Sequence, residues 1–419
     1  MDGARMSSLR TVVVGAGQAG LQLALSLREA GETGPILLLG DEPSAPYQRP
    51  PLSKAFLADK VDAAGLLLRP PEALVAGGIE WRGGVRVEAI DRADARLETA
   101  GGERIAYDRL VLATGVRNRR LMLPGADLAG VLSVRTLADA VVLQQVLPAA
   151  RDVVVIGGGF IGLEVAALVA AARGAGAAPV RVLEAAPRAL ARAASPAMSA
   201  EVTARLAAAG VVVEAGAAVA GLEGRDGRVA GVRLAAGDLV PADLVIVGIG
   251  AVPNTELAVG AGLVVDNGIA VDAELGTSDP AIAAIGDCAS FPDARTGQRI
   301  RLESVQNAVD QARHLAARFA GRAGPYAAVP WFWSDQGPLK IQIAGLTAGA
   351  DLVLPRIDAA GATMLCFAGG RFLGAETINR PGDHMAVRRL LAAGTELDPA
   401  TAADPAFDLR AAAGGRRHG

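Results

Sequence analysis

Residues 11–27, TVVVGAGQAGLQLALSL, indicate the fold class. A β-branched run leads into a GxGxxG turn, and apolar residues then recur at helical spacing, so the pattern predicts a strand, a tight turn and a helix. In such a unit Gly15 permits the turn, Gly17 admits a pyrophosphate, and Gly20 lets the helix approach the sheet. The phosphates then lie at a helix N-terminus, where unpaired N–H groups favour anions.

A second apolar run, ILLL at residues 36–39, completes this unit. It is followed by Asp41 and Glu42, which stand 21 and 22 positions after Gly20. At that spacing an acidic side chain meets the ribose of an adenosine. The first 42 residues therefore predict a dinucleotide site.

The same device recurs in VVVIGGGFIG at residues 153–162, with Gly157, Gly159 and Gly162 in the three glycine roles. The next strand, VRVLE, ends at Glu184, 22 positions after Gly162. A carboxylate there accepts from a 2′-hydroxyl and repels a 2′-phosphate, so we predict a preference for NADH over NADPH. The alternative is a solvated acid at a strand end. Two such units indicate two dinucleotide sites in one chain.

Composition excludes several other classes of protein. The chain has 419 residues, enough for two or three domains, and carries 41 Lys and Arg against 44 Asp and Glu. No basic field is present for nucleic acid or an anionic membrane. Two cysteines, Cys288 and Cys366, lie 78 positions apart, which argues against a disulfide framework, a cysteine zinc site and a dithiol pair. We expect no metal site.

Hydrophobic patterning gives an expectation about location. No apolar run approaches the ~18 residues of a spanning helix. The opening residues MDGARMSSLR are polar and lack the apolar stretch of a signal peptide. We expect a cytoplasmic protein without a membrane partner.

Motifs along almost the whole chain resemble the flavoprotein reductases with two dinucleotide domains. The sequence is most similar to the ferredoxin reductases that serve bacterial Rieske dioxygenases and cytochromes P450. The matching stretches are GDEPSAPYQRPPLSK (40–54), YDRLVLATG (107–115), VVVIGGGFIGLEVAA (153–167), ADLVIVGIGAVPN (242–254), TSDPAIAAIGDCA (277–289), RLESVQNAVDQAR (301–313) and PWFWSDQGPLKIQIAGL (330–346).

This resemblance implies FAD and NADH as cofactors and a [2Fe–2S] ferredoxin as partner, with a P450 or Rieske oxygenase served indirectly. Hydride would pass from NADH to the flavin, and electrons would leave singly. The resemblance places Lys54 beside the flavin ring, paired with Glu164, as the catalytic pair. A merely structural ion pair is the alternative. The prolines of PYQRPPLSK stiffen the loop that carries Arg49 and Lys54.

Further cofactor contacts follow from the resemblance and from strand-end glycines. Asp287 is expected on the ribityl hydroxyls, and Trp333 against the flavin, with core packing as the alternative for the tryptophan. A helix is expected to start near Ser304 with its free amides toward the flavin. The full predicted set is Gly15, Gly17, Gln18, Ala19, Gly20, Asp41, Glu42, Arg49, Lys54, Val87, Ala113, Thr114, Gly115, Arg135, Gly157, Gly159, Ile161, Gly162, Glu164, Glu184, Gly250, Gly286, Asp287, Glu303, Ser304, Val305 and Trp333.

The order of the motifs predicts an interrupted first domain. We expect an FAD-binding domain at 6–116 and 252–323, an NADH-binding domain inserted at 117–251, and a C-terminal α+β domain at 324–419. In the last, TMLCF and RFLGAETIN joined by AGG predict a hairpin, followed by a helix around 383–393. The predicted fold class is α/β, with two Rossmann-like domains as in glutathione-reductase-like flavoproteins.

Two other functions stay open from the sequence. One is an NADH oxidase or rubredoxin reductase, which differs mainly in the electron acceptor. The other is an NADH-responsive flavoprotein resembling apoptosis-inducing factor, although PWFWSDQ and PYQRPPLSK favour the reductase. Basic residues that could dock an acidic ferredoxin, or simply face solvent, are Arg313, Arg318 and Arg322 on one expected helix and Arg388 and Arg389 on another.

Overall fold

The computed structural model describes residues 9–174, 176–322, 324–404 and 406–414. The chain divides into two units. The first comprises Met1–Gln48, Ala63–Arg117 and Val252–Ala328, and the second comprises Arg49–Asp62, Asn118–Ala251 and Val329–Gly419. Residues 6–8, 175, 323, 405 and 415–419 of the expected domains lie outside the described residues.

Residues 9–118 form eight strands and two α-helices. They are β1 (Thr11–Val14), α1 (Gln18–Glu29), β2 (Ile36–Leu39), α2 (Pro71–Ala76), β3 (Ile79–Arg82), β4 (Val87–Asp91), β5 (Arg96–Thr99), β6 (Arg104–Ala106), β7 (Arg109–Leu112) and β8 (Val116–Asn118). Every residue of β1 and β2 is buried, which explains their uninterrupted apolar sequence. A 3₁₀ turn at Pro50–Ser53 belongs to the second unit.

The middle of the chain lies almost wholly in the second unit. Its elements are β9 (Val131–Leu132), α3 (Leu137–Val146), β10 (Val153–Ile156), α4 (Phe160–Arg173), β11 (Val180–Glu184), α5 (Pro196–Ala208), β12 (Val211–Ala215), β13 (Val219–Arg225), β14 (Arg228–Leu234), β15 (Leu239–Pro241), β16 (Leu244–Val247) and β17 (Ala251–Pro253).

The chain then returns to the first unit before it builds the C-terminal sheet. The elements are α6 (Glu256–Gly260), β18 (Ile269–Ala270), β19 (Ile282–Ala284), β20 (Ala289–Pro292), β21 (Arg299–Ile300), α7 (Val305–Phe319), β22 (Trp331–Gln336), β23 (Leu339–Gly345), β24 (Leu352–Ile357), β25 (Ala362–Ala368), β26 (Arg371–Ile378), α8 (Pro381–Ala392), α9 (Pro399–Ala403) and α10 (Leu409–Gly414).

Each unit contains a five-stranded parallel sheet with a glycine turn at its centre. The strand order is β19-β7-β1-β2-β3 in the first unit and β12-β11-β10-β16-β9 in the second. The strand that leads into the glycine turn is β1 in the first sheet and β10 in the second. Each lies between the next strand of the chain, β2 or β11, and a much later strand, β7 or β16. Ligands of such sheets bind at this point, beyond the carboxyl ends of the strands.

The C-terminal part of the second unit is an antiparallel sheet in the order β22-β23-β26-β25-β24. The hairpin of β25 and β26 turns at Gly369 and Gly370, so this prediction is confirmed. Helix α8 buries Val387 and Leu390 in a cluster with Leu365 and Phe367 of the sheet. The predicted α/β class with a C-terminal α+β part is therefore confirmed.

One sequence-based expectation about helices is wrong. Arg313 and Arg318 lie on α7, but Arg322 follows the end of that helix at Phe319. Gly321, with a φ of +77°, interrupts the helical backbone before Arg322. In the described part of the chain, no helix combines the length and the apolar character that crossing a membrane requires.

Candidate functional site

The glycine turn of the second unit joins β10 to α4 so tightly that side chains are excluded. Gly157 has a φ of +108°, and a Cβ there would lie 2.5 Å from the carbonyl oxygen of Gly248. A Cβ at Gly162 would lie 2.2 Å from the carbonyl oxygen of Gly157. The turn of the first unit repeats both features at Gly15 and Gly20.

The middle glycine of each turn faces open space instead. A Cβ at Gly17 would meet nothing within 4 Å, and a Cβ at Gly159 would meet only the oxygen of Gly248 at 3.9 Å. Both residues are the N-caps of their helices, and as glycines they have no side chain to accept from the first helix amides. Each turn therefore offers free helix amides beside a cradle that only glycine leaves open, which fits a pyrophosphate.

Glu184 lies at the rim of the second glycine turn. Its Oε2 accepts from the Gly158 amide at 2.6 Å, and its Oε1 accepts from the Ala186 amide at 2.7 Å. The carboxylate is thus fixed at the end of β11, where a ribose hydroxyl would meet it. In the first unit, Glu42 accepts from the Tyr47 hydroxyl at 2.6 Å.

Asn254, which is not among the predicted site residues, holds the strand ends of the first unit together. Thr114 donates its hydroxyl to the carbonyl of Asn254 at 2.7 Å, and the Asn254 amide donates to the carbonyl of Thr114 at 2.8 Å. Ala113 and Gly115 flank this pair. The only signal for it was the position of Asn254 at the end of the ADLVIVGIGAVPN stretch.

A second missed residue, Gln311, fixes the Gly286–Asp287 turn. Its Oε1 accepts from the Gly286 amide at 2.7 Å, and a Cβ at Gly286 would lie 2.9 Å from that of Ala19. Gln311 is fully buried, and its Nε2 has no hydrogen-bond partner in the described structure. A buried donor without a partner, beside Asp287, fits a site completed by a polar cofactor.

Helix α7 starts where the sequence predicts. Ser304 caps it by accepting from the Asn307 amide at 3.0 Å, and Val305 is its first residue. Just before the cap, Arg301 donates to Glu303 at 2.7 Å and to the carbonyl of Asp287 at 3.0 Å. These contacts gather four predicted site residues around the N-terminus of α7.

The predicted Lys54 and Glu164 come together in the second unit. Lys54 Nζ lies 2.9 Å from Glu164 Oε1, and the Glu164 side chain is only 4% exposed. The carboxylate also accepts from Ser53 Oγ at Oε2 and from Ser334 Oγ at Oε1, each at 2.6 Å. Three donors from two other segments thus fix its orientation on α4, two residues beyond Gly162.

Aromatic rings continue from this network along β22. Trp333, the residue before Ser334, lies 5.5 Å from Trp331 between ring centroids. Trp331 in turn contacts His384 at 5.7 Å and has the Arg388 guanidinium 4.3 Å above its ring. Burial, aided by the charge of Arg388, lowers the pKa of His384 to about 4. This histidine is therefore neutral at physiological pH.

The remaining predicted residues are distributed between the units. Arg49 donates to the carbonyl of Arg135 at 2.9 Å in the second unit. Gly250, with a φ of +97°, and the half-exposed Ile161 belong to the same unit. Val87 is buried at the start of β4 in the first unit, away from the glycine turn in sequence.

The cysteines are both free and fully buried. Burial raises the pKa of the Cys288 thiol, which disfavours the reactive thiolate. Cys288 thus packs as a small residue below the Asp287 turn. Within the described ranges, no group of three or more His, Cys, Asp or Glu is arranged to hold a metal ion.

Residues 9–312 match the pyridine nucleotide-disulphide oxidoreductase family, and residues 331–413 match a second family model, described as reductase C-terminal. The chain belongs to the first of these families. The expected resemblance to flavoprotein reductases is confirmed. Cys288 and Cys366 of this chain form no disulfide with each other.

Relatives within the family match over nearly their full length. Rhodocoxin reductase of Rhodococcus erythropolis is 49% identical over 403 residues, covering 96% of this chain and 93% of that protein. The ferredoxin reductase for the CYP199A2 system from Rhodopseudomonas palustris superposes with a TM-score of 0.93 at 46% identity, covering 96% and 99%. The covalent putidaredoxin reductase–putidaredoxin complex gives 0.92 at 39%, covering 97% and 99%.

Proposed function

We propose that the chain is an FAD-containing reductase that takes a hydride from NADH and passes electrons singly to a [2Fe–2S] ferredoxin, which serves a cytochrome P450 or a Rieske oxygenase. The observation that carries the proposal is the pair of Lys54 with Glu164, which lies on the helix that begins at the second glycine turn. The reductases that match along nearly the whole chain support the same activity.

Each unit would hold one cofactor. We assign FAD to the first glycine turn, with Asp287 and the N-terminus of α7, and NADH to the second, with Glu184 at its rim. With this assignment we propose an FAD-binding domain at 6–116 and 252–323, an NADH-binding domain at 117–251 and a C-terminal domain at 324–419. When bound, the flavin supplies the conversion between two-electron and one-electron transfer.

The protein's own side chains would position the reacting rings. The Glu164 carboxylate is held by three donors and cannot turn freely, so it offers a fixed acceptor beside α4. The Lys54 side chain is 19% exposed, so it remains partly accessible beside the buried carboxylate. We propose that these two groups orient the nicotinamide for hydride transfer, and that Trp333 borders the same site.

An acidic ferredoxin would dock on basic residues of the C-terminal sheet and its helix. Arg389 is exposed on α8, and Arg388 lies over Trp331 on the same helix. We further propose a cytoplasmic location, which is supported by two cysteines that remain free.

An anaerobic titration of the purified flavoprotein tests the proposal. NADH is added until the flavin absorbance bleaches, NADPH is used in a parallel sample, and a [2Fe–2S] ferredoxin with cytochrome c follows. We expect bleaching near one equivalent of NADH, a weak response to NADPH, and cytochrome c reduction only with ferredoxin.

Three outcomes separate the alternatives. A long-lived charge-transfer band without ferredoxin turnover would favour the NADH-responsive binding protein. Rapid oxygen consumption without ferredoxin would favour an NADH oxidase. Turnover with rubredoxin but not with ferredoxin would move the acceptor to rubredoxin.

A further inference from the structure

We infer that Glu376, on strand β26 of the C-terminal sheet, is a positioning residue that sets the affinity for the pyridine nucleotide by holding the loop of residues 185–195. The inference rests on the proposed function of the second glycine turn. Glu376 itself is expected to touch neither cofactor.

Glu376 is a buried carboxylate held only by neutral donors. Its side chain is 0% exposed, and no lysine or arginine of the described structure forms an ion pair with it. The Ser195 amide donates to Oε1 at 2.9 Å and to Oε2 at 3.1 Å, and the Ser195 hydroxyl donates to Oε2 at 2.6 Å. Thr347 Oγ1 donates to Oε1 at 2.8 Å. Three of these four hydrogen bonds come from Ser195, so the buried carboxylate fixes Ser195 firmly.

Ser195 is the last residue of the 185–195 loop and the N-cap of α5. Besides donating to Glu376, its hydroxyl accepts from the Met198 amide at 3.2 Å. One bond network thus defines both where α5 begins and where the loop ends. At its other end the loop leaves β11 at Glu184, whose carboxylate accepts from Ala186.

Between these ends the loop follows the glycine turn. The Leu190 amide donates to the carbonyl of Gly158 at 2.9 Å, and Leu190 has a left-handed φ of +53°. Ser199 of α5 also holds the loop, because its hydroxyl donates to the carbonyl of Ala189 at 2.6 Å. A non-glycine residue keeps a left-handed backbone only where its surroundings enforce it.

The loop also brings a cation to the site. The exposed Arg192 lies so close to Gly250 that a Cβ there would be 2.9 Å from a guanidinium nitrogen. Gly250 follows the carboxyl end of β16, next to the strand that carries the glycine turn. A guanidinium at this edge suits the phosphates of a dinucleotide. Displacement of Ser195 would therefore move Arg192 and weaken the Leu190 contact together.

The test compares Glu376→Gln with a matched control, Thr347→Val. The glutamine is isosteric, but its amide nitrogen presents a donor to the donors of Ser195. The valine removes one hydrogen bond from the same carboxylate and leaves the bonds to Ser195 intact. NAD⁺ binding is measured by calorimetry on the flavin-loaded proteins, with amide hydrogen exchange of peptides covering 185–195 and with flavin content.

We expect Glu376→Gln to raise the Kd for NAD⁺ about tenfold, with faster exchange in the loop and unchanged flavin content. Thr347→Val is expected to stay within about twofold of the wild type. In ferricyanide turnover the loss is expected in KM for NADH rather than in kcat. Where Glu376→Gln does not fold, Ser195→Ala serves instead. It removes the hydroxyl bond to Glu376 together with the cap bond from the Met198 amide, and it is expected to raise the Kd about threefold.

Equal Kd values for wild type and Glu376→Gln would overturn the inference and leave the proposed function standing. Equal losses in Glu376→Gln and Thr347→Val would also overturn it, because the effect would then follow general stability. If the wild type bound no NAD⁺, the proposed function would fail and the inference with it.

Discussion

Ser334 Oγ donates a 2.6 Å hydrogen bond to Glu164 Oε1 across 170 positions of sequence. Glu164 stands on the helix of the second dinucleotide unit, whereas Ser334 stands in the first strand of the C-terminal sheet. The carboxylate that the catalytic proposal requires is therefore oriented by a segment outside the dinucleotide fold itself.

Replacement of Ser334 by alanine is expected to loosen Glu164. The loss of one buried hydrogen bond should lower the free energy of unfolding by about 1 kcal/mol and slow flavin reduction by saturating NADH about fivefold. Rapid-mixing absorbance and thermal unfolding measure the two effects. Ser26→Ala, which removes a buried hydroxyl from α1, is the control and should lower stability without slowing reduction.

Lys54→Met should have a larger effect, because it removes the cation of the pair. Glu164 would remain buried with two serine donors, so we expect the free energy of unfolding to fall by about 2 kcal/mol. Flavin reduction by NADH should slow about a hundredfold, measured by rapid mixing. Lys60→Met changes an exposed lysine of the same segment and should behave as the wild type. Equal rates in the two variants would contradict a role for Lys54.

Glu184→Gln should weaken the choice between the two nicotinamide cofactors. The amide removes the charge that repels a 2′-phosphate, so the ratio of kcat/KM for NADH to that for NADPH should fall about tenfold. Steady-state turnover with ferricyanide measures both values. Glu201→Gln removes an equal charge from α5 and should leave the ratio unchanged.

Acid stability should report on His384. Burial, with the charge of Arg388, lowers the pKa of His384 to about 4, whereas in the unfolded chain it titrates near 6.5. Between these values the unfolded chain binds more protons, so the free energy of unfolding falls as the pH drops. His384→Leu removes this contribution. The Tm of the variant should gain on the wild type from pH 6.5 to 4; a constant difference would refute the assignment.

Arg389→Glu tests the docking face. A charge reversal on the exposed side of α8 should raise the KM for an acidic ferredoxin about tenfold at low salt, and added salt should reduce the difference. NADH turnover with ferricyanide should be unchanged. Arg104→Glu reverses an exposed charge on β6 and serves as the control. If both variants lose the same affinity, net charge rather than this face is responsible.

Much of the fold could be predicted because its parts are local. The strands beside each glycine turn are short, wholly buried apolar runs, and the turns demand glycine at fixed positions. The start of α7 was predictable because Ser304 caps it locally. The pairing of Lys54 with Glu164 could be predicted only from the resemblance to a family, since no local pattern connects the two residues.

The residues that sequence reasoning missed act over long distances. Ser53, Gln311, Ser334 and Glu376 are ordinary polar residues in sequence, and each gains its importance from a buried partner far along the chain. The end of α7 was misjudged because basic residues continue past Phe319, while Gly321 and not charge limits the helix. Such features depend on which distant residues contact each other in the folded protein, and a single sequence does not show these contacts.

The bonds from Ser334 and Glu376 also bear on how the protein is made. Glu164 and Ser195 leave the ribosome 170 and 181 residues before their partners. During synthesis the parallel sheet of the second unit can form while these two positions still lack their final hydrogen bonds. We therefore expect the sheet of the second unit to fold before Glu164 and Ser195 are held in their final positions. A stalled or truncated product would contain this folded sheet but would lack a correctly oriented Glu164.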